Sequence, residues 1–178
     1  LNVTVSGSWD DELGSDERLH ASVEYRALEW RLRYLHNDAD FYDLFGPTER
    51  ARKGDAVSVG HHRSLIYDPP RQLELNVDAA FYRGLDTLPA AQEVSTAFRN
   101  LATVNVALAY SDTTRSLGAV DHEKGLRWDL SAGVNYATSQ AFPYLRGGFD
   151  IGRPLPIPNS SVWLYTAAGA VGGDAASP

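Results

Sequence analysis

Between Leu126 and Tyr136 apolar and polar residues alternate without a break. Leu126, Trp128, Leu130, Ala132, Val134 and Tyr136 hold one phase; Arg127, Asp129, Ser131, Gly133 and Asn135 hold the other. Successive side chains of a strand point to opposite faces, so this segment reads as a strand with one apolar and one wet face. Aromatics stand near both ends of the apolar phase, with small or aliphatic residues between them. That is the distribution expected of a strand crossing a bilayer, where Trp and Tyr prefer the two interfaces.

The same alternation recurs along the chain, separated by turn-rich stretches. Leu1, Val3, Val5, Gly7 and Trp9 form a first apolar phase, and Leu19, Ala21, Val23 and Tyr25 a second. The phase then shifts by one residue, giving Leu28, Trp30, Leu32 and Tyr34. Such a shift is a tight hairpin near Arg26–Ala27 or a bulge in one long strand, and the length of each half favours the hairpin. Asp55 to Tyr67 is a weaker strand, closed by the turn Tyr67–Asp68–Pro69–Pro70–Arg71 because prolines do not serve a central ladder. Leu73 to Phe81, Ala102 to Ser111, Leu126 to Tyr136, Leu145 to Gly152 and Val162 to Val171 complete nine candidates. A helical turn at Ala90 to Phe98 is the one helical feature expected.

These strands predict an all-β fold: an antiparallel up-and-down meander forming a partial transmembrane β-barrel, in a single domain over residues 1–178. Several run to the ~9–11 residues that a tilted strand needs to span a bilayer, beyond the ~5–6 common in globular proteins. No stretch reaches the ~18 consecutive apolar residues of a transmembrane helix. Hydrophobic residues at 43% and charged residues at 22% suit a membrane barrel, because half of each strand faces a polar interior. A net charge of -7 argues against nucleic-acid binding. Cysteine is absent, which excludes disulfides and Cys-based metal sites. Methionine is absent too, and no basic-then-apolar signal segment precedes Leu1, so the sequence reads as a fragment or a processed segment.

The run from His36 to Gly54, with Ser116 to Trp128 and Leu145 to Asp150, resembles bacterial outer-membrane proteins that join a TolB-like β-propeller to a C-terminal barrel of surface-antigen type. The likeness covers most of the chain and does not include the propeller. A more distant likeness is to the Omp85 superfamily, whose barrels carry an Arg-Gly-aromatic motif on a loop in the lumen. Here Leu145-Arg146-Gly147 matches, whereas Gly148 stands at the aromatic position and Phe149 follows one residue late. The resemblance implies the outer membrane of a Gram-negative bacterium, with membrane lipid and a covalently linked periplasmic propeller as partners. The chain ends without the terminal aromatic strand such barrels present, so closing strands are expected to be missing.

Arg146, Gly147 and Asp150 form a candidate lumenal motif, with Arg146 and Asp150 on the expected lumen face beside Arg127, Asp129, Glu74 and Asp78. Interior charges must pair or be wetted, so an ion network is the ordinary expectation and a loop-holding role for Arg146 the functional one. Phe41, Tyr42 and Phe45 are a candidate loop contact: a partner site, or a plug packed against its own barrel. His61 and His62 are adjacent and point to opposite faces, which prevents a shared metal. Asp38, Asp40 and Asp43 with Asn37 are rich in oxygen but lack the Gly and terminal Glu of a calcium loop. No metal or cofactor is expected. Nucleophile-elbow, zinc-protease and phosphate-loop motifs are absent, so no catalytic residue is assigned. The expected function is a non-catalytic membrane anchor or pore scaffold. The alternatives are a soluble β-barrel or sandwich binding module and an outer-membrane hydrolase whose base would be His20, His36 or His122.

Overall fold

A computed structural model describes residues 2–9, 11, 18–37, 52–87, 98–116, 122–157 and 160–173. The strands are β1 (Asn2–Trp9), β2 (Leu19–Arg26), β3 (Trp30–His36), β4 (Arg52–Asp68), β5 (Arg71–Thr87), β6 (Leu101–Thr114), β7 (Lys124–Ala137), β8 (Gln140–Pro154) and β9 (Ser161–Val171). Among the described residues each pairs antiparallel with the next in one nine-stranded sheet, which is not closed. The fold is the all-β up-and-down meander that the alternation predicts. Because the strand number is odd, β1 and β9 run in the same direction.

Directly opposed residues of an antiparallel pair share a face, so the register sorts the whole sheet. Along one row Val5 faces Val23, then Tyr34, Val57, Phe81, Ala102 and Tyr136 in turn. The adjacent row on the other face runs from Thr4 through Glu24, Arg33, Ser58, Ala80 and Thr103 to Asn135. The apolar phases of all strands therefore merge into one apolar face, interrupted on β4 by His61 and Arg63, which stand opposite Val77 and Leu75. A one-residue slip at any hairpin would turn the following strand inside out, which is what holds the register.

The apolar face is open to its surroundings. Val5 is 70%, Phe81 51%, Leu145 51% and Leu164 60% exposed. Its aromatics stand at two levels. Trp9, Phe81 and Tyr136 lie toward the end that carries connections 10–18, 37–51, 88–100 and 138–139. Tyr110, Trp128 and Phe149, in one register row, lie toward the end of connections 27–29, 69–70, 115–123 and 155–160. Tyr110 and Trp128, register partners, stack with centroids 5.7 Å apart. On β7 the two levels are separated by roughly 27 Å of strand, or about 20 Å of membrane at the usual tilt.

The hairpin replaces the bulge at the phase shift: β2 ends at Arg26 and β3 begins at Trp30, with Leu28 fully exposed in the turn. β4 and β5 are 17 residues each, longer than their alternation predicts, because at their outer ends charged residues and glycines interrupt the alternation and the pairing shifts register between Lys53 and Asp55. β8 likewise starts at Gln140, and Pro143 lies within it. The proline is accommodated because β9 pairing reaches only to Tyr144, while the Pro143 carbonyl accepts from Gly172 N–H at 2.8 Å. Ala90 to Ala97 of the expected helical turn lie outside the described residues.

The β7–β8 turn places Thr138 and Ser139 at φ 49° and 64°, the pair of positive angles of a hairpin turn that ordinarily uses Asn-Gly. A β-branched residue there is strained. Thr138→Asn combined with Ser139→Gly is expected to raise stability by about 1 kcal/mol, read as a higher urea midpoint in detergent micelles.

Candidate functional site

The polar face carries the chemistry. At β2, β3 and β5, Glu24 receives Arg26 and, at 4.0 Å, Arg33, while Arg31 donates to Asp78 at 3.2 Å. Register places Arg26 directly opposite Arg31. Like charges in that position repel, and each guanidinium turns to a different carboxylate. At β7 and β8, Arg127 pairs with its register partner Asp150 at 3.0 Å and lies 5.2 Å from the Trp163 ring centroid. Between these groups His62 bonds Asn76 at 2.8 Å, and Tyr144 donates to Asn105 at 3.1 Å.

Two of these contacts, and a third made by Trp163, share one construction. Arg31 on β3 and Asp78 on β5 are both register partners of Gly60 on β4, so their bridge passes over that glycine. Tyr144 on β8 and Asn105 on β6 are both partners of Gly133 on β7. Trp163 on β9 lies over its partner Gly152 on β8 and donates to the His122 carbonyl, just before β7, at 2.9 Å. Second-neighbour strands are roughly 10 Å apart, so a side chain that joins them must lie flat across the middle strand. A Cβ would block it. At Gly60 it would sit 2.8 Å from Asp78 Oδ1, at Gly133 2.6 Å from the Tyr144 ring, and at Gly152 2.3 Å from the Trp163 ring. Such links draw the flanking strands together above the middle one, which favours a sheet curved with its polar face inside.

The buried apolar core lies on this polar face, not on the apolar one. Leu35, Ala56, Leu101 and Ala137 occupy one polar-phase row across β3, β4, β6 and β7, with Tyr82 completing it on β5. Leu85 joins them, and Phe98 packs against the cluster. Leu85 N–H donates to the Arg99 carbonyl at 2.9 Å, and Gly84 N–H to Asn100 Oδ1 at 3.4 Å. These bonds continue the β5–β6 pairing beyond Tyr82 and Leu101 and hold Phe98 beside the row. This apolar collar stands at the end with the longer connections.

Of the sequence candidates, Arg146 and Asp150 lie on the polar face and Gly147 on the apolar face, opposite Leu130. Arg146 faces Ser131 and Gly169, and the partner of Asp150 is Arg127. Phe41, Tyr42 and Phe45, with Asp38, Asp40 and Asp43, lie outside the described residues. His61 and His62 point to opposite faces, toward Val77 and Asn76; His61 packs on Trp30 with centroids 4.5 Å apart. Among the described residues no three His, Asp or Glu side chains converge on a metal position. Sequence reasoning missed the glycine crossings and the collar. Their signals were glycines in the polar phase and apolar residues one step out of phase, such as Leu35 and Leu101.

Comparison with protein-family models, curated proteins and solved structures found nothing that matches this chain.

Proposed function

We propose that this chain is part of the wall of a bacterial outer-membrane β-barrel, a non-catalytic membrane anchor or pore scaffold. The observation that carries this reading is the exposed apolar face, which draws residues from all nine strands and is bounded by aromatics at two levels. In water a patch of that extent is an aggregation hazard; in lipid it is the ordinary outer surface of a barrel. The paired charges of the opposite face then line a wetted interior. The long-connection end faces outward and the short-turn end faces the periplasm, by the usual asymmetry of such barrels. A covalently linked propeller at that end is the partner that the sequence resemblance implies. Antiparallel closure between β1 and β9 takes an odd number of further strands, because the two run in the same direction.

The test is folding in the absence of lipid. The protein is expected to remain unfolded or aggregated in aqueous buffer, and to form a heat-modifiable β-sheet species when detergent micelles or lipid vesicles are supplied. A folded monomer without either would support the soluble β binding module instead.

A further inference from the structure

Leu85 is fully buried, in a sheet whose other side chains are mostly open on one face or the other. It is buried on the side that the rest of the sheet devotes to Arg, Asp, Asn and Thr. A step toward the middle of the strands, the next polar-phase row is Arg33, Ser58, Ala80, Thr103 and Asn135. The lining therefore changes from wettable to dry within one row. An anchor has no need of this change, since apolar residues on the lipid face already supply membrane affinity. A passage does use it: a hydrophobic constriction expels water and stops ions without any moving plug.

We propose, taking the barrel above as given, that the row Leu35, Ala56, Tyr82, Leu101 and Ala137, capped by Leu85 and Phe98, is a dewetted seal across the outer mouth of the lumen. The charged lining beneath it is then a vestibule that opens at the short-turn end only. Two features of the geometry support a seal over simple strand-end packing. The row spans five adjacent strands, β3 to β7, rather than one hairpin. At the entry to β6, Phe98 packs against this row, and the bond from Leu85 N–H to the Arg99 carbonyl fixes the main chain beside it.

The chain as encoded in its host, reconstituted in planar bilayers, is expected to be nearly silent. Leu85→Ser and Leu101→Ser are each expected to raise ion conductance on the order of tenfold by wetting the constriction. Because the chain has no cysteine, Thr103→Cys supplies a second readout that does not depend on those variants folding. In an otherwise unaltered barrel it is expected to react with a membrane-impermeant thiol reagent from the short-turn side and to be protected from the long-connection side. Steady conductance of the unaltered protein, equal labelling from both sides, or silent serine variants that remain heat-modifiable overturn the seal while leaving the barrel standing. Failure to insert into lipid at all overturns the barrel, and the seal with it.

Discussion

Val106→Arg is expected to destabilise the lipid-inserted protein by about 2–4 kcal/mol, the cost of a guanidinium on a barrel's outer face near the bilayer midplane. The same substitution one residue later, Ala107→Arg, is expected to cost less than about 1 kcal/mol. The contrast follows from the register alone. Val106 lies on the apolar face between Val77 and Ala132, midway along β6 between the levels of Phe81 and Tyr110. Ala107 lies on the polar face between Asn76 and Ser131, where an added guanidinium finds water and amide or hydroxyl acceptors. Urea titration of each variant in lipid vesicles reads both costs. Equal costs would contradict the assignment of faces. In a soluble protein neither substitution would approach the larger figure, since Val106 is already 41% exposed.

Gly152→Ala is expected to cost about 1–3 kcal/mol, the usual penalty for forcing a methyl group into an occupied space. The new Cβ would stand 2.3 Å from the Trp163 ring, displacing the indole and breaking its hydrogen bond to the His122 carbonyl. In a Trp163→Ala background the same substitution is expected to be nearly neutral, because the obstructed ring is gone. The coupling between the two, read from the four denaturation curves of the cycle, is thus expected at about 1–3 kcal/mol. Additive effects would show that the ring does not cross over the glycine. The indole would then no longer join β9 to the start of β7, and one of the three links that bend the sheet toward its polar face would be lost.

The alternation of single segments made most of the architecture legible. Leu126 to Tyr136 alone carries a strand, its apolar side and its interface aromatics, since all three are local properties of a period-two pattern. The phase shift at Arg26–Ala27 likewise carries its hairpin. The glycine crossings were hidden because they depend on three strands at once. That Gly133 lies beneath a Tyr144–Asn105 bond is set by two registers, and registers are properties of pairs. The collar was hidden for a related reason. Leu35 and Leu101 each look like a trailing apolar residue at a strand end, and only the alignment of five strands turns them into a row. The length of β4 and β5 was underestimated because their outer ends follow neighbouring strands rather than a pattern of their own.

The most direct test of the two-faced wall is a scan of single-cysteine variants from Leu126 to Tyr136, each carrying a nitroxide label in lipid vesicles. The cysteine-free sequence permits this without background. Labels at Leu126, Trp128, Leu130, Ala132, Val134 and Tyr136 are predicted to contact lipid-soluble oxygen. Labels at Arg127, Asp129, Ser131 and Asn135 are predicted to be reached preferentially by a water-soluble relaxation agent; Gly133 is left unlabelled because a Cβ there meets the Tyr144 ring at 2.6 Å. Uniform access to the water-soluble agent at both sets of positions would contradict the two-faced wall.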